Sequence, residues 1–368
     1  MNRRKLPIAP SPNEAALPPL YARWADALLD APIPEETVAT CASCAMEGQA
    51  GATAFDPKTK CCTFQPTLAN FLVGVILADT DGSSAARQGR ETVRARVAVG
   101  AGVTPLGLAR SERFRALYAT TGHGDAFGNA HSLRCPHYVE RGGLCGVWRH
   151  RESTCATWFC KHDRGAVGHA FWRALQALLL AGESALARHA LLVLDPGPDA
   201  LAELARSHAH IDPTPRLDAA DVDERRDPVR HRALWGRWLG REEEYFVECA
   251  RLTASLAWPD VLALGGADLA LHARVVKDAF ATLLDERVPA RVRVHRYEVA
   301  AVTAETTRVS TYSKYDPLEL PNELVELLPY FDGRPTRRAL AEIERRRGVA
   351  LDVDTVRQLV DYEVLVPV

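Results

Sequence analysis

Eight of the nine cysteines lie between Cys41 and Cys160, and no other feature of the sequence is as able to do chemistry. The first set is Cys41-x-x-Cys44, sixteen residues, then Cys61-Cys62; the second is Cys135, Cys145, Cys155 and Cys160. Two intervening residues let both sulfurs reach one ion across a tight turn, the spacing that recurs in zinc and iron–sulfur sites. Adjacent Cys61 and Cys62 point apart unless the backbone bends, so they serve two metals, or one metal and a neighbouring role. Eight thiolates suffice for two four-cysteine sites, and spacing does not say which residues share an ion. Reduced thiols or a disulfide network are the plain alternative. Cys249 stands apart, in a helical pattern, and reads as a small buried hydrophobe.

Five histidines fall near the second set: His123, His131, His137, His150 and His162. Each can replace a cysteine, donate to a sulfur or move protons. His123, His131 and His162 are the candidate catalytic groups if there is chemistry; loop polarity is the plain reading. Arg149 and Arg151, with Lys161 and Arg164, would stabilise thiolates or an anionic cluster, or else form a solvated basic edge. Gly122 to Gly128 suits a flexible loop over a site. Gly100 to Gly107 lacks the third glycine of a dinucleotide fingerprint, and Pro105 interrupts the helix that should open there, so it reads as a turn. No phosphate-binding loop, zinc-protease helix or nucleophile elbow is present.

The run Cys145-Gly-Val-Trp148-Arg-His-Arg151-Glu-Ser-Thr-Cys155, preceded by Cys135 and followed by Cys160, resembles the second half of the CxxCxxCC zinc- or iron-chelating family. That family includes the flagellin lysine N-methylases, and the resemblance extends over residues 41–165. The chain keeps Cys145, Val147, Trp148, Arg151 and Cys155, has Glu152 where the family has proline, and stretches the first half by Ala45 to Lys60. The resemblance implies a metal-binding domain. One or two 4Fe-4S iron–sulfur clusters are the preferred occupant, with zinc as the alternative; Cys41, Cys44, Cys61, Cys62, Cys135, Cys145, Cys155 and Cys160 are the ligands.

These residues must be positioned by a chain of 368 residues, 47 % hydrophobic and 25 % charged, which is ordinary globular composition. A net charge of -2 gives no global attraction to nucleic acid or an anionic membrane. No apolar run reaches the ~18 residues of a membrane span. The start has no apolar signal core, so no secretion and a cytoplasmic location are expected. The fold class expected is mainly α with a small β component. A Pro-rich arm (1–40) carries one helix, Leu20 to Leu29. A loop-rich cysteine-cluster domain (41–165) follows, with one apolar stretch, Phe71 to Ala78. A helical domain (166–290) has helices at Ala166 to Val193, Ala200 to Ser207, Val229 to Leu256 and Leu269 to Leu284. Trp235, Trp238, Tyr245 and Phe246 pack its core.

The last segment (291–368) alternates as strands do over Arg291 to Val302 and Thr307 to Tyr312. Helical patterns follow at Pro321 to Tyr330, Thr336 to Arg347 and Asp354 to Tyr362, then a closing strand at Val364 to Val366. This order resembles the PqqD-like winged-helix domain that recognises leader peptides. The residues carrying the likeness are Leu320 to Gly333, Ala339 to Ile343, Val356 to Leu359 and Val364 to Val366. The resemblance implies capture of an extended peptide at a sheet edge. Winged helices also bind DNA, for which Arg334, Arg337, Arg338, Arg345, Arg346, Arg347 and Arg357 supply charge. The function expected is a metal-cluster protein acting on, or delivering electrons to, a peptide or protein substrate; a peptide- or protein-modifying metalloenzyme is one form of it. The alternatives are a non-catalytic zinc-stabilised interaction module and a redox-sensing DNA-binding regulator.

Overall fold

The computed structural model describes residues 11–41, 43–47, 53–121, 124–209 and 217–368. The chain is mainly α with a small β component. It divides into two compact units, neither of them one continuous segment.

The first unit takes Met1–Glu35, Glu47–Trp158 and Gln176–Ala273. Helix α1 (Pro19–Leu28) opens with proline at its first position, where no amide is needed, and buries Tyr21, Trp24 and Leu28. Strand β1 (Leu68–Ala69) leads into α2 (Asn70–Ala78), which is apolar nearly all round and buried on most faces. Helix α3 (Ser84–Val99) starts where the Ser83 hydroxyl accepts from the Ala86 amide and stops at Gly100, at φ +79°. Strands β2 (Val103–Thr104) and β3 (Gly107–Leu108) form a hairpin, and β3 also pairs with β1. The glycine-rich stretch 100–107 is therefore a helix stop followed by a hairpin. Then come α4 (Glu112–Thr121), the antiparallel pair β4 (Tyr138–Val139) and β5 (Leu144–Cys145), and α5 (Ser153–Thr157).

The remaining helices before the C-terminal segment are α6 (Gly165–Leu194), α7 (Pro198–Ala209), α8 (Ala219–Val222), α9 (Pro228–Trp235), α10 (Glu242–Ala254) and α11 (Trp258–Leu284). The cysteine region is thus more helical than its glycines and histidines suggest: α2 to α5 all lie in it. The single helix expected over Val229 to Leu256 is broken, because Gly236 adopts φ +43° and Gly240 φ +79°. Trp235, Tyr245, Phe246 and Cys249 are fully buried, as aromatic spacing suggests, while Trp238 is half-buried. By length and composition helix α6 is apolar enough to cross a bilayer, and 44 % of its most apolar window is buried within the protein. Its apolar character is not an uninterrupted run, since Arg173, Glu183 and Arg188 punctuate it.

Glycines set how closely the first unit packs. A Cβ on Gly74 of α2 would lie 1.8 Å from the Phe246 carbonyl oxygen of α10, and one on Gly89 of α3 would lie 1.9 Å from the Gly146 carbonyl oxygen. Backbone meets helix directly at both places.

The second unit takes Glu36–Met46, Phe159–Leu175 and Arg274–Val368. Its strands are β6 (Arg291–Val294), β7 (Glu298–Val302), β8 (Thr306–Ser310), β9 (Leu318–Pro321), β10 (Asp332–Pro335) and β11 (Leu365–Pro367); its helices are α12 (Asn322–Leu327), α13 (Thr336–Arg347) and α14 (Val353–Asp361). Two antiparallel sheets result, in the orders β10-β6-β11 and β7-β8-β9. The strand expected over Arg291 to Val302 is two, one in each sheet. Val292, Leu320, Phe331, Ile343, Leu359 and Leu365 centre the core. Arg164 ties the unit together: its guanidinium grips the Asp361 carboxylate at 2.5 and 2.9 Å and also donates to the main chain at Leu283 and Asp285.

Gly89→Ala is expected to lower stability by about 2 kcal/mol or more, because a backbone oxygen cannot move aside as a side chain can. Gly82→Ala, with nothing within 4 Å of its Cβ, is the control and should leave thermal unfolding unchanged.

Candidate functional site

Among the described residues no group of three or more Cys, His, Asp and Glu side chains is arranged to hold a metal ion, and none of the nine cysteines is in a disulfide. The expected metal-binding, iron–sulfur or zinc character is corrected by this placement. Cys61, Cys62, Cys135, Cys145 and Cys155 belong to the first unit, and Cys41, Cys44 and Cys160 to the second. Three thiols of the first unit are shifted upward by their surroundings. A hydrogen bond to Cys62, then burial, pushes the Cys61 thiol well up. Burial, with Cys145 adding to it, pushes Cys135 up to about 12. Burial and the Glu152 carboxylate push Cys155 up.

The five cysteines of the first unit still form a neighbourhood. The Cys135 amide donates to the Cys62 carbonyl at 2.7 Å. Cys145 lies on β5 opposite Tyr138, next to the Cys135 turn. Two buried cationic or basic groups border it. The Arg96 guanidinium donates one nitrogen to the Ala109 carbonyl at 2.6 Å, and its Nη1 has no partner. His137 is buried, contacts the Thr92 hydroxyl through Nδ1 at 2.9 Å, and leaves Nε2 unpartnered; burial pulls its imidazole down to about 3. His137 at physiological pH is neutral.

Glu152, the departure from the family pattern, has a local role. Its carboxylate caps α5 by accepting from the Thr154 and Cys155 amides at 2.7 and 2.8 Å. Arg151 stacks on Trp148 at 3.4 Å and donates to the Trp148 and Cys155 carbonyls, so it serves the main chain around the thiol. Arg149 is exposed. Beneath α5, Glu183 of α6 accepts through one oxygen from the Tyr21 hydroxyl and from the Ser153 amide at 2.7 Å. Burial and the nearby Glu152 raise the Glu183 carboxyl to about 8, so it is largely protonated at neutral pH.

The three histidines expected to move protons have separate fates. His123, with Gly122 of the expected loop, lies outside the described residues. His131 is exposed, with Nε2 3.0 Å from Asp56. His162 is buried in the second unit and organised. Its amide donates to Asp316 at 3.2 Å, its Nδ1 lies 3.2 Å from the Tyr312 hydroxyl, and that hydroxyl in turn donates to Asp316. The His169 ring packs beside both rings at 5.2 Å. Burial pulls His162 down to about 3, so the ring is neutral at physiological pH. Next to it, Glu36 accepts from the Trp172 indole and the Asp163 amide, each at 2.6 Å. Tyr312, Asp316, Glu36, Arg96 and Glu183 were not legible as site residues in the sequence; none sits in a motif, and the link from His162 to Tyr312 spans 150 residues.

The Glu183 carboxyl gives a pH test with a definite sign. Its folded value lies above the ordinary ~4.5 of an unfolded glutamate, so its contribution is intact below ~4.5 and is lost as pH rises through about 8. Glu183→Gln keeps an acceptor for both Tyr21 and Ser153. Urea unfolding should find it close to the native chain at pH 4.5 and more stable at pH 8, by on the order of 2–4 kcal/mol. Equal differences at both pH values would show that the native carboxyl is not neutral.

No family model, curated protein or solved structure matches the chain.

Proposed function

We propose that the protein binds an extended peptide or protein segment through residues 291–368, by addition of a strand to β7. These residues make a winged-helix-like unit, and the similarity to PqqD-like peptide-recognition domains falls on them. The observation that carries the proposal is β7 itself. It is the outer strand of the order β7-β8-β9, and all five of its residues, Glu298–Val302, are exposed. Proteins ordinarily blunt such an edge with charged residues, lysine above all, with proline, with a bulge or with a covering loop, and β7 has Glu298 and a bulge but no lysine or proline. It presents Val299 and Val302, 55 % and 67 % exposed. A register shift between Val299 and Ala301 bends the strand, which divides the edge into two pairing steps. In strand addition the main-chain ladder supplies affinity and the side chains flanking it supply choice.

The charge pattern disfavours the DNA alternative. Arg346 pairs with Glu342 at 2.7 Å, Arg345 with the same carboxylate at 3.5 Å, Arg347 with Glu326, and Arg334 with Asp332 and Glu342. Three of the five arginines of α13 are therefore engaged in ion pairs within the unit, where phosphate binding needs them uncommitted.

Binders selected from a random displayed peptide library against the full chain provide the probe. Val299→Lys with Val302→Lys, both on exposed positions, should weaken them by roughly tenfold or more while leaving the fold intact. Unchanged affinity, or binders that map to residues outside 291–368, would sink the proposal.

A further inference from the structure

The first unit carries an apolar groove, independent of the peptide edge, between α6 and α11. Its volume is about 580 Å³. Small residues such as Ala181 and Gly265 form the floor, and Leu180, Leu192 and Leu264 form the lips, 52 %, 65 % and 41 % exposed. Leu180, Ser184, Arg188 and Leu192 recur every fourth residue, so they share one face of α6. A floor of small residues under leucine lips is the shape that receives a helix from a neighbour. Three exposed leucines gathered along one groove, Leu180, Leu192 and Leu264, are more apolar surface than isolated exposed residues present.

Charge identifies the occupant. Arg188 stands on the α6 wall and Asp268 on the α11 wall. Among the described residues Arg188 makes no ion pair, and the ionic contact of Asp268 is a 3.9 Å approach to His272 on its own helix. One cation and one anion on opposite walls match the same face rotated by a half-turn, since the contact made by one wall is repeated by the other. A lipid surface would call for basic residues of one sign along the groove, which it does not have. We propose that this face is a two-fold interface between two copies of this chain, with the α6 leucines of each seated in the other's groove and Arg188 facing the partner's Asp268.

Sedimentation or light scattering of the full chain across a concentration series tests this. The expected mass is twice 40.3 kDa, falling toward a single chain on dilution. Leu180→Glu should yield single chains with unchanged circular dichroism. Arg188→Asp and Asp268→Arg should each weaken dimerisation by roughly tenfold, and the two together should restore it, which a merely structural role would not do. A single-chain mass at every concentration overturns the proposal. So do charge reversals without effect, and so does a single chain that instead binds lipid vesicles.

Discussion

The Glu183 carboxyl is the point on which the first unit turns. It sits midway along α6 and takes the Tyr21 hydroxyl from α1 and the Ser153 amide at the start of α5 on the same oxygen. A charged group there would face Glu152 in a site with little solvent, so the protein keeps it protonated. A neutral acid can bridge two donors without demanding a counter-ion, and that lets α1 lie against an otherwise apolar helix. Glu152, freed from pairing with it, points its carboxylate at the amides of α5 instead. The position of Cys155, on that short helix, follows from both acids.

The same economy of charge runs through the thiol neighbourhood. Burial and mutual proximity keep Cys61, Cys135 and Cys155 as thiols, and burial keeps His137 neutral. Among the described residues two members of this neighbourhood leave a buried nitrogen without a partner, His137 at Nε2 and Arg96 at Nη1. An orphaned guanidinium nitrogen is costly, of the order of 1–3 kcal/mol. Nearby thiols offer it little, since a neutral sulfur is a weak acceptor.

Periodicity made the helices and the C-terminal elements legible. The end of α13 is marked by Gly348, and the 12-residue pattern Thr336–Arg347 has its apolar residues on one face. Helix α3 was hidden by composition: five of its sixteen residues carry charge, and its buried positions are only Gly89, Val93 and Val97. The breaks at Gly236 and Gly240 depend on backbone angles that a glycine permits without announcing. For the site, cysteine spacing pointed to a shared ion, because in one dimension eight clustered thiols look like one constellation. Their assignment to different units, and the acids and rings that surround them, depend on contacts between residues far apart in the chain. His162 was noticed for its type; Tyr312 and Asp316, which hold it by hydrogen bonds, carried no local signal.

Those long separations have a consequence for how the protein forms. Tyr21 meets Glu183 across 162 residues, and Arg164 meets Asp361 across 197. Helical proteins usually fold fast because their contacts are local, yet here ties within both units join residues far apart in the chain. A chain emerging from synthesis at its N-terminus leaves the buried face of α1 exposed until α6 has followed it, and leaves Arg164 unclasped until α14 has been made. Each unit therefore closes only after segments far apart in the chain have both been made, and the loop between them must close before those contacts reward it.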